Sequence, residues 1–242
     1  MMKVIGALGI ALACQCAMAG EPTHWGYTGS EGPSHWGKLS PEFGTCEKGR
    51  NQSPVDLTRF VESDLSPLVF HYKEGGKEIV NNGHTVQINY EPGSELTLDG
   101  HTYELKQFHF HAPSENLIDG KSYPLEAHFV HADPEGNLAV VAVMFTEGAA
   151  NAALKKAWDH MPEKAGEKAV ADAVAEALLP ADRDYYRYNG SLTTPPCTEG
   201  VTWLVMKHPV TASAEQIERF AHVMHHPNNR PVQHVNARPI LQ

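Results

Sequence analysis

Gln107-Phe108-His109-Phe110-His111 has the alternation of a β-strand, and Glu126-Ala127-His128 answers it further along the chain. Side chains of an extended strand point to opposite faces in turn, so His109 and His111 share one face while Phe108 and Phe110 share the other. Two imidazoles on one face can grip a single metal ion. A third from a neighbouring strand completes a three-histidine set that leaves one zinc position open for water.

The chain carries 15 histidines, so a single one says little, and the choice of the third ligand rests on faces. Glu126, His128 and Val130 share one side of their strand; Ala127, Phe129 and His131 share the other. The first side joins an imidazole to a carboxylate and suits a metal site, which selects His128 over His131. A metal-bound imidazole usually gives its other N–H to a carboxylate, amide or carbonyl. Gln107 stands two residues before His109 and Glu126 two before His128, the positions such orienters need.

At 242 residues, 41% hydrophobic, the chain can bury one large core or two small ones, and no Pro/Ser/Gly-rich linker divides it. A net charge of −10 with no basic cluster argues against nucleic acid and anionic lipid as partners. Lys3, the apolar run Val4 to Ala13 and Ala17-Met18-Ala19 read as a signal peptide over residues 1–19, cleaved near Ala19. The run is too short for a permanent membrane span, so the mature chain, 20–242, is expected not to insert. Cys14 and Cys16 raise a lipoprotein alternative, but the residues before them make a poor acylation signal. The expected location is therefore outside the cytoplasm, periplasmic or secreted, where the remaining pair, Cys46 and Cys197, forms a disulfide.

From Gly20 to Leu57, Gly, Pro, Ser, Trp and His dominate without periodicity, which predicts an irregular arm pinned by its aromatics. Short strand-like runs follow: Leu68 to Tyr72, Glu78 to Val80, Thr85 to Tyr90, Glu95 to Leu98, Tyr103 to His111, Tyr123 to His131 and Leu138 to Phe145. Turn signals such as Asn82-Gly83, Asp99-Gly100 and Asp119-Gly120 separate them. Asn151 to His160 and Glu167 to Leu179 are Ala-rich and predict helices stopped by Pro162 and Pro180. Val201 to Lys207 predicts a strand, and Ser213-Ala214-Glu215-Gln216 a capping box opening a helix through about His225. The fold class is mainly β (α+β): a single domain on a large, mostly antiparallel, twisted central sheet with peripheral helices.

Taken together these segments resemble the α-class carbonic anhydrases over nearly the whole mature chain. The resemblance is carried by Gln52-Ser53-Pro54-Val55, Asn81-Asn82-Gly83-His84, Gln107 to His111 with Ser114-Glu115, and Glu126 to His131. It continues through Tyr188 to Cys197, Val201-Thr202-Trp203 and Asn229-Arg230-Pro231-Val232-Gln233. It implies zinc on His109, His111 and His128, supported by Gln107, Glu126 and a backbone carbonyl near Asn228. The activity implied is reversible hydration of carbon dioxide to bicarbonate and a proton by zinc-bound hydroxide, with ester cleavage as a side activity. Thr193 would accept a hydrogen bond from that hydroxide and donate one to Glu115. Val130, Val140, Leu192, Thr194, Val201 and Trp203 would hold the substrate, and His84 would shuttle the proton. The expected partners are the small molecules carbon dioxide, water and bicarbonate, with the chain a monomer or homodimer.

Two departures from the family pattern, Ala112-Pro113 after His111 and Asn116 after Glu115, bear on cavity shape and rate. A cupin reading, with His109, His111 and Glu115 on iron or manganese, competes for the same stretch, but the flanking glycines fall at the wrong distances. A catalytically silent binding relative would be expected to lack a zinc histidine, and a dedicated zinc esterase would use the same hydroxide on another carbonyl.

Overall fold

The computed structural model describes residues 23–242. The expected signal segment, its cleavage site, Cys14 and Cys16 lie outside the described residues. Among the described residues no helix is long and apolar enough to cross a membrane.

The strands are β1 (Asp56–Leu57), β2 (Val69–His71), β3 (Gly76–Asn81), β4 (Val86–Tyr90), β5 (Glu95–Leu98) and β6 (His101–His111). They continue with β7 (Leu117–Ile118), β8 (Leu125–Ala132), β9 (Leu138–Glu147), β10 (Lys168–Ala173), β11 (Tyr185–Ser191), β12 (Glu199–Met206) and β13 (Val210–Ala212). The helices are short: α1 (Trp36–Leu39), α2 (Thr45–Lys48), α3 (Ala152–Ala157) and α4 (Ala214–Met224). One 11-stranded sheet has the path β10-β3-β4-β6-β8-β9-β12-β11, with β5 on β6, β2 on β5 and β13 on β9. Most pairs are antiparallel; β9 pairs in parallel with β12 and β13.

The centre of the sheet is buried on both faces, which explains the nearly continuous apolar run of β9. Val141, Val143 and Phe145 enter a core with Phe108, Phe110, Phe129 and Leu204. Val140, Ala142 and Met144 join a second cluster with Val201, Trp203 and Val205. Each fully buried Phe or Leu contributes about 2–3 kcal/mol relative to exposure. Phe108 and Phe110 thus fasten β6 to the first core, and the alternating His109 and His111 turn to the second face, where His109 stands directly opposite His128 of β8. The β6–β8 register shifts between Leu105 and Gln107, leaving Lys106 as an extra residue.

Three expectations change. The segment Glu167 to Leu179 is not a helix: it forms β10 and a 3-10 turn, Ala175–Leu178. In Lys168-Ala169-Val170-Ala171-Asp172-Ala173 the exposed residues are Lys168, Val170 and Asp172, so the alternation has period two, and pairing with β3 outweighs the helix propensity of alanine. The irregular arm contains α1 and α2, each only 4 residues long, too short for a periodic signal. The helix expected over Asn151 to His160 shrinks to α3, with the Asn151 side chain accepting from the Ala153 and Leu154 amides. The capping box is present: Ser213 and Gln216 bond each other's backbone at the start of α4.

Candidate active site

β6 and β8 lie side by side, and their register brings His109, His111 and His128 together, one potential ligand nitrogen of each within 4.8 Å of the others. His131 goes elsewhere: its ring meets the Tyr72 hydroxyl at 2.5 Å and the Ala139 carbonyl at 3.2 Å on the opposite side of the sheet strand.

Each of the three rings has one nitrogen engaged away from the cluster. His109 Nδ1 lies 2.8 Å from Gln107 Oε1, and His111 Nδ1 lies 2.7 Å from the Asn228 carbonyl. His128 Nε2 lies 2.9 Å from Glu126 Oε1, close enough for charge contact but off the hydrogen-bond direction. The remaining nitrogens are Nε2 of His109, Nε2 of His111 and Nδ1 of His128. His111 Nε2 is buried without any hydrogen-bond partner, a position that costs free energy unless something fills it. Burial holds all three imidazoles below the ordinary histidine range, those of His109 and His128 well below, so they are neutral and able to donate to a cation. An all-nitrogen, uncharged, three-sided donor set fits zinc.

Around this set the carboxylates are fixed. Glu126, fully buried, accepts from the amides of Glu115 (2.6 Å) and Asn116 (2.9 Å) and from Asn116 Nδ2 (2.8 Å). Asn116 Oδ1 accepts in turn from the Tyr188 hydroxyl at 2.9 Å. Asn116 is thus a hub that the sequence reading gave no role; its place directly after Glu115 was the only signal. Glu115 Oε1 accepts the Arg230 amide at 2.8 Å, and Oε2 faces the cluster, 3.6 Å from His111 Nε2 and 3.9 Å from His128 Nδ1. Burial pushes the Glu115 carboxyl up to about 8, against the Arg230 amide and the Thr193 hydroxyl, which pull it down. Thr193 is close enough for that influence, although Oε2 has no hydrogen-bond partner of standard geometry.

Val130, Val140, Val201, Trp203 and Leu192 meet in one apolar cluster, with Val130 paired to Val140 and Val140 to Trp203 across the strands. The Trp203 ring stands edge-on to His128 at 4.8 Å, so the apolar cluster borders the imidazoles. Thr194 stays outside that cluster, its carbonyl accepting the Cys197 amide at 2.8 Å. Cys46 and Cys197 are bridged. His84 is half-buried and stacked on Trp25, ring centres 3.7 Å apart; burial, then His24 and His226, lower its pKa. Asn228 links it to the centre: its side chain donates to the His84 carbonyl at 3.1 Å while its own carbonyl receives His111.

A family model for eukaryotic-type carbonic anhydrase matches residues 31–242. The chain is 52% identical to a carbonic anhydrase of Pectobacterium carotovorum over 241 residues, covering 98% of this chain and 99% of the relative. It is 49% identical to a carbonic anhydrase of Klebsiella pneumoniae, covering 91% of each. The solved α-carbonic anhydrase of Thermovibrio ammonificans, in complex with the inhibitor sulfanilamide, superposes with a TM-score of 0.90 at 51% identity, covering 92% of this chain and all of that one. With a matching sheet, a converging histidine set and relatives of that similarity over nearly its whole length, the chain belongs to the α-class, eukaryotic-type carbonic anhydrases.

Proposed function

We propose that this enzyme hydrates carbon dioxide reversibly to bicarbonate and a proton, using a zinc ion held by His109, His111 and His128. The observation that carries this reading is the arrangement of the three rings, His109 partly exposed and His111 and His128 buried, each turned outward by one nitrogen toward Gln107, the Asn228 carbonyl or Glu126, and inward by the other. When bound, zinc supplies a water that ionises near neutrality, at the known value for carbonic anhydrase of about 7.

The outward contacts fix tautomer and ring orientation and so aim the free nitrogens at one point. Thr193 would accept a hydrogen bond from the attacking hydroxide and donate one to Glu115, which would turn a lone pair to the substrate carbon. Glu115 works as a carboxylate, the form favoured by any cation held among the imidazoles, because Oε2 lies 3.6 Å from His111 Nε2. Val130, Val140, Leu192, Val201 and Trp203 offer carbon dioxide an apolar resting place, with Thr194 beside the hydroxide-orienting threonine. Attack of the hydroxide that bound zinc would supply would form a C–O bond while one C=O pair moves onto oxygen, giving bicarbonate. His84 takes the proton that the next water must lose and hands it to buffer. The same nucleophile would cleave activated esters as a side activity.

We also assign residues 1–19 to a signal peptide and 20–242 to the catalytic domain, working in the periplasm or outside the cell, a compartment compatible with the Cys46–Cys197 bridge. Stopped-flow carbon dioxide hydration should be lost on chelation together with bound zinc and return on zinc addition. Activity indifferent to metal removal would overturn the reading.

A further inference from the structure

Gln52-Ser53-Pro54 and Asn229-Arg230-Pro231 lie far apart in sequence and carry no role in the chemistry above, yet they meet beside it. Arg230 is 2% exposed although it bears a full charge. Its Nη1 donates to Gln52 Oε1 at 2.9 Å and to the Ser53 carbonyl at 2.7 Å; its Nη2 donates to the Cys46 carbonyl at 2.9 Å. The guanidinium also sits over the Trp36 ring, 5.7 Å from its centre. Burial lowers its pKa only to about 10, with Glu115 opposing, so the group remains a cation at neutral pH.

Gln52 continues the link by donating from Nε2 to the Cys197 carbonyl at 3.0 Å, so one side-chain pair grips the carbonyls of both bridged cysteines. Ser53 exchanges two hydrogen bonds with Ser191, amide to hydroxyl in each direction, at 2.9 and 3.1 Å. Ser191 ends β11, and Leu192 and Thr193 follow it. On its other side Arg230 gives its backbone N–H to Glu115 Oε1 at 2.8 Å. The two members of the hydroxide-orienting pair are therefore held by one anchor: Glu115 by the Arg230 backbone, and the Thr193 loop through Gln52, Ser53 and Cys197. Matched acceptors make a buried guanidinium tolerable, and the planar fork fixes direction in a way an ammonium cannot.

We propose that Arg230, with Gln52 as its partner, is a positioning residue for catalysis that sets Glu115 and the Thr193 loop relative to each other. This rests on the assignment of Thr193 and Glu115 given above. Arg230→Lys keeps the charge and removes the fork. In the zinc-loaded enzyme it should lower kcat/KM for carbon dioxide hydration about tenfold, the scale of one well-placed hydrogen bond, with zinc stoichiometry unchanged. Thr193→Ala should lower it further by itself, and adding Arg230→Lys to Thr193→Ala should have no additional effect, since residues acting through one another are not additive. In the metal-free protein, hydrogen exchange at the amides of Leu192, Thr193, Thr194 and Cys197 should quicken in Arg230→Lys. If Arg230→Lys does not fold, Gln52→Ala severs the same link and must show the same non-additivity.

Effects that multiply in the double variant would overturn the proposal, as would unchanged kcat/KM in either single variant of the anchor. If Thr193→Ala alone leaves the rate intact, the assignment of Thr193 fails and the proposal falls with it. Multiplying effects on top of a damaging Thr193→Ala remove only the role of Arg230.

Discussion

Replacing both Cys46 and Cys197 by alanine removes a bridge between residues 151 positions apart. Opening a loop of that length restores freedom to the unfolded chain worth about 5 kcal/mol in the chain-entropy model, an upper limit because the native contacts of the two residues persist. Cys197 is fully buried and Cys46 nearly so, packed on Trp36, and their carbonyls keep their bonds to Gln52 and Arg230 whether or not the sulfurs are joined. With a urea dependence of about 3 kcal/mol/M for a chain of this size, the unfolding midpoint of the double variant should fall by roughly 1.5 M. The assay is equilibrium urea denaturation of the variant beside the wild type, oxidised and reduced. Reduced wild type should follow the variant. Activity should also fall without denaturant, because the bridge tethers to Cys46 the end of the turn that begins at Thr194, which the Cys197 amide closes on the Thr194 carbonyl at 2.8 Å. An unchanged midpoint would refute the loop-closure reasoning; a lowered midpoint with full activity would refute the link to the Thr193 loop.

His84→Ala should slow turnover in dilute buffer and be partly rescued by added imidazole, since relay by the half-buried ring is needed only where buffer cannot reach the centre; unchanged turnover in dilute buffer would sink the assignment. His131 gives a pH dependence of stability. Burial depresses its pKa to about 4, against about 6.5 when unfolded, so above 6.5 neither state is protonated and stability is complete. As the pH falls from about 6.5 to 4 the unfolded chain binds a proton that the native one refuses, and up to about 3 kcal/mol is lost. Denaturation at neutral and mildly acidic pH should therefore show a smaller difference in His131→Gln than in wild type; equal differences would count against the account.

The strand pattern was legible where a face alternates between histidine and phenylalanine, because each type has one acceptable environment. Val140 to Phe145 was legible as a strand by its branched and aromatic residues, although only the fold says which members meet the site. Lys168 to Ala173 was misread because alanine suits both helix and buried sheet face, and only the presence of β3 beside it decides. The three converging histidines and Gln107 could be placed by counting along strands. Asn116, Asn228 and Arg230 could not be given roles by counting, since their partners come from distant segments: Asn116 Oδ1 accepts from Tyr188, Asn228 donates to His84, and Arg230 donates to Gln52. Long-range polar contacts have no period.

The extra residue at Lys106 has a consequence for how this site can change over time. Leu105 and Phe108 occupy the same core although three positions separate them, which strict alternation forbids and the register shift permits. The shift resets the phase of β6 so that its upper half can serve the core and its lower half can turn His109 and His111 toward His128. Loss of a single codon there would leave all three converging histidines in the chain and yet set core and histidine faces in opposition. Substitution can tune this enzyme, but within β6 the reading frame of the strand is as much a part of the active site as its histidines.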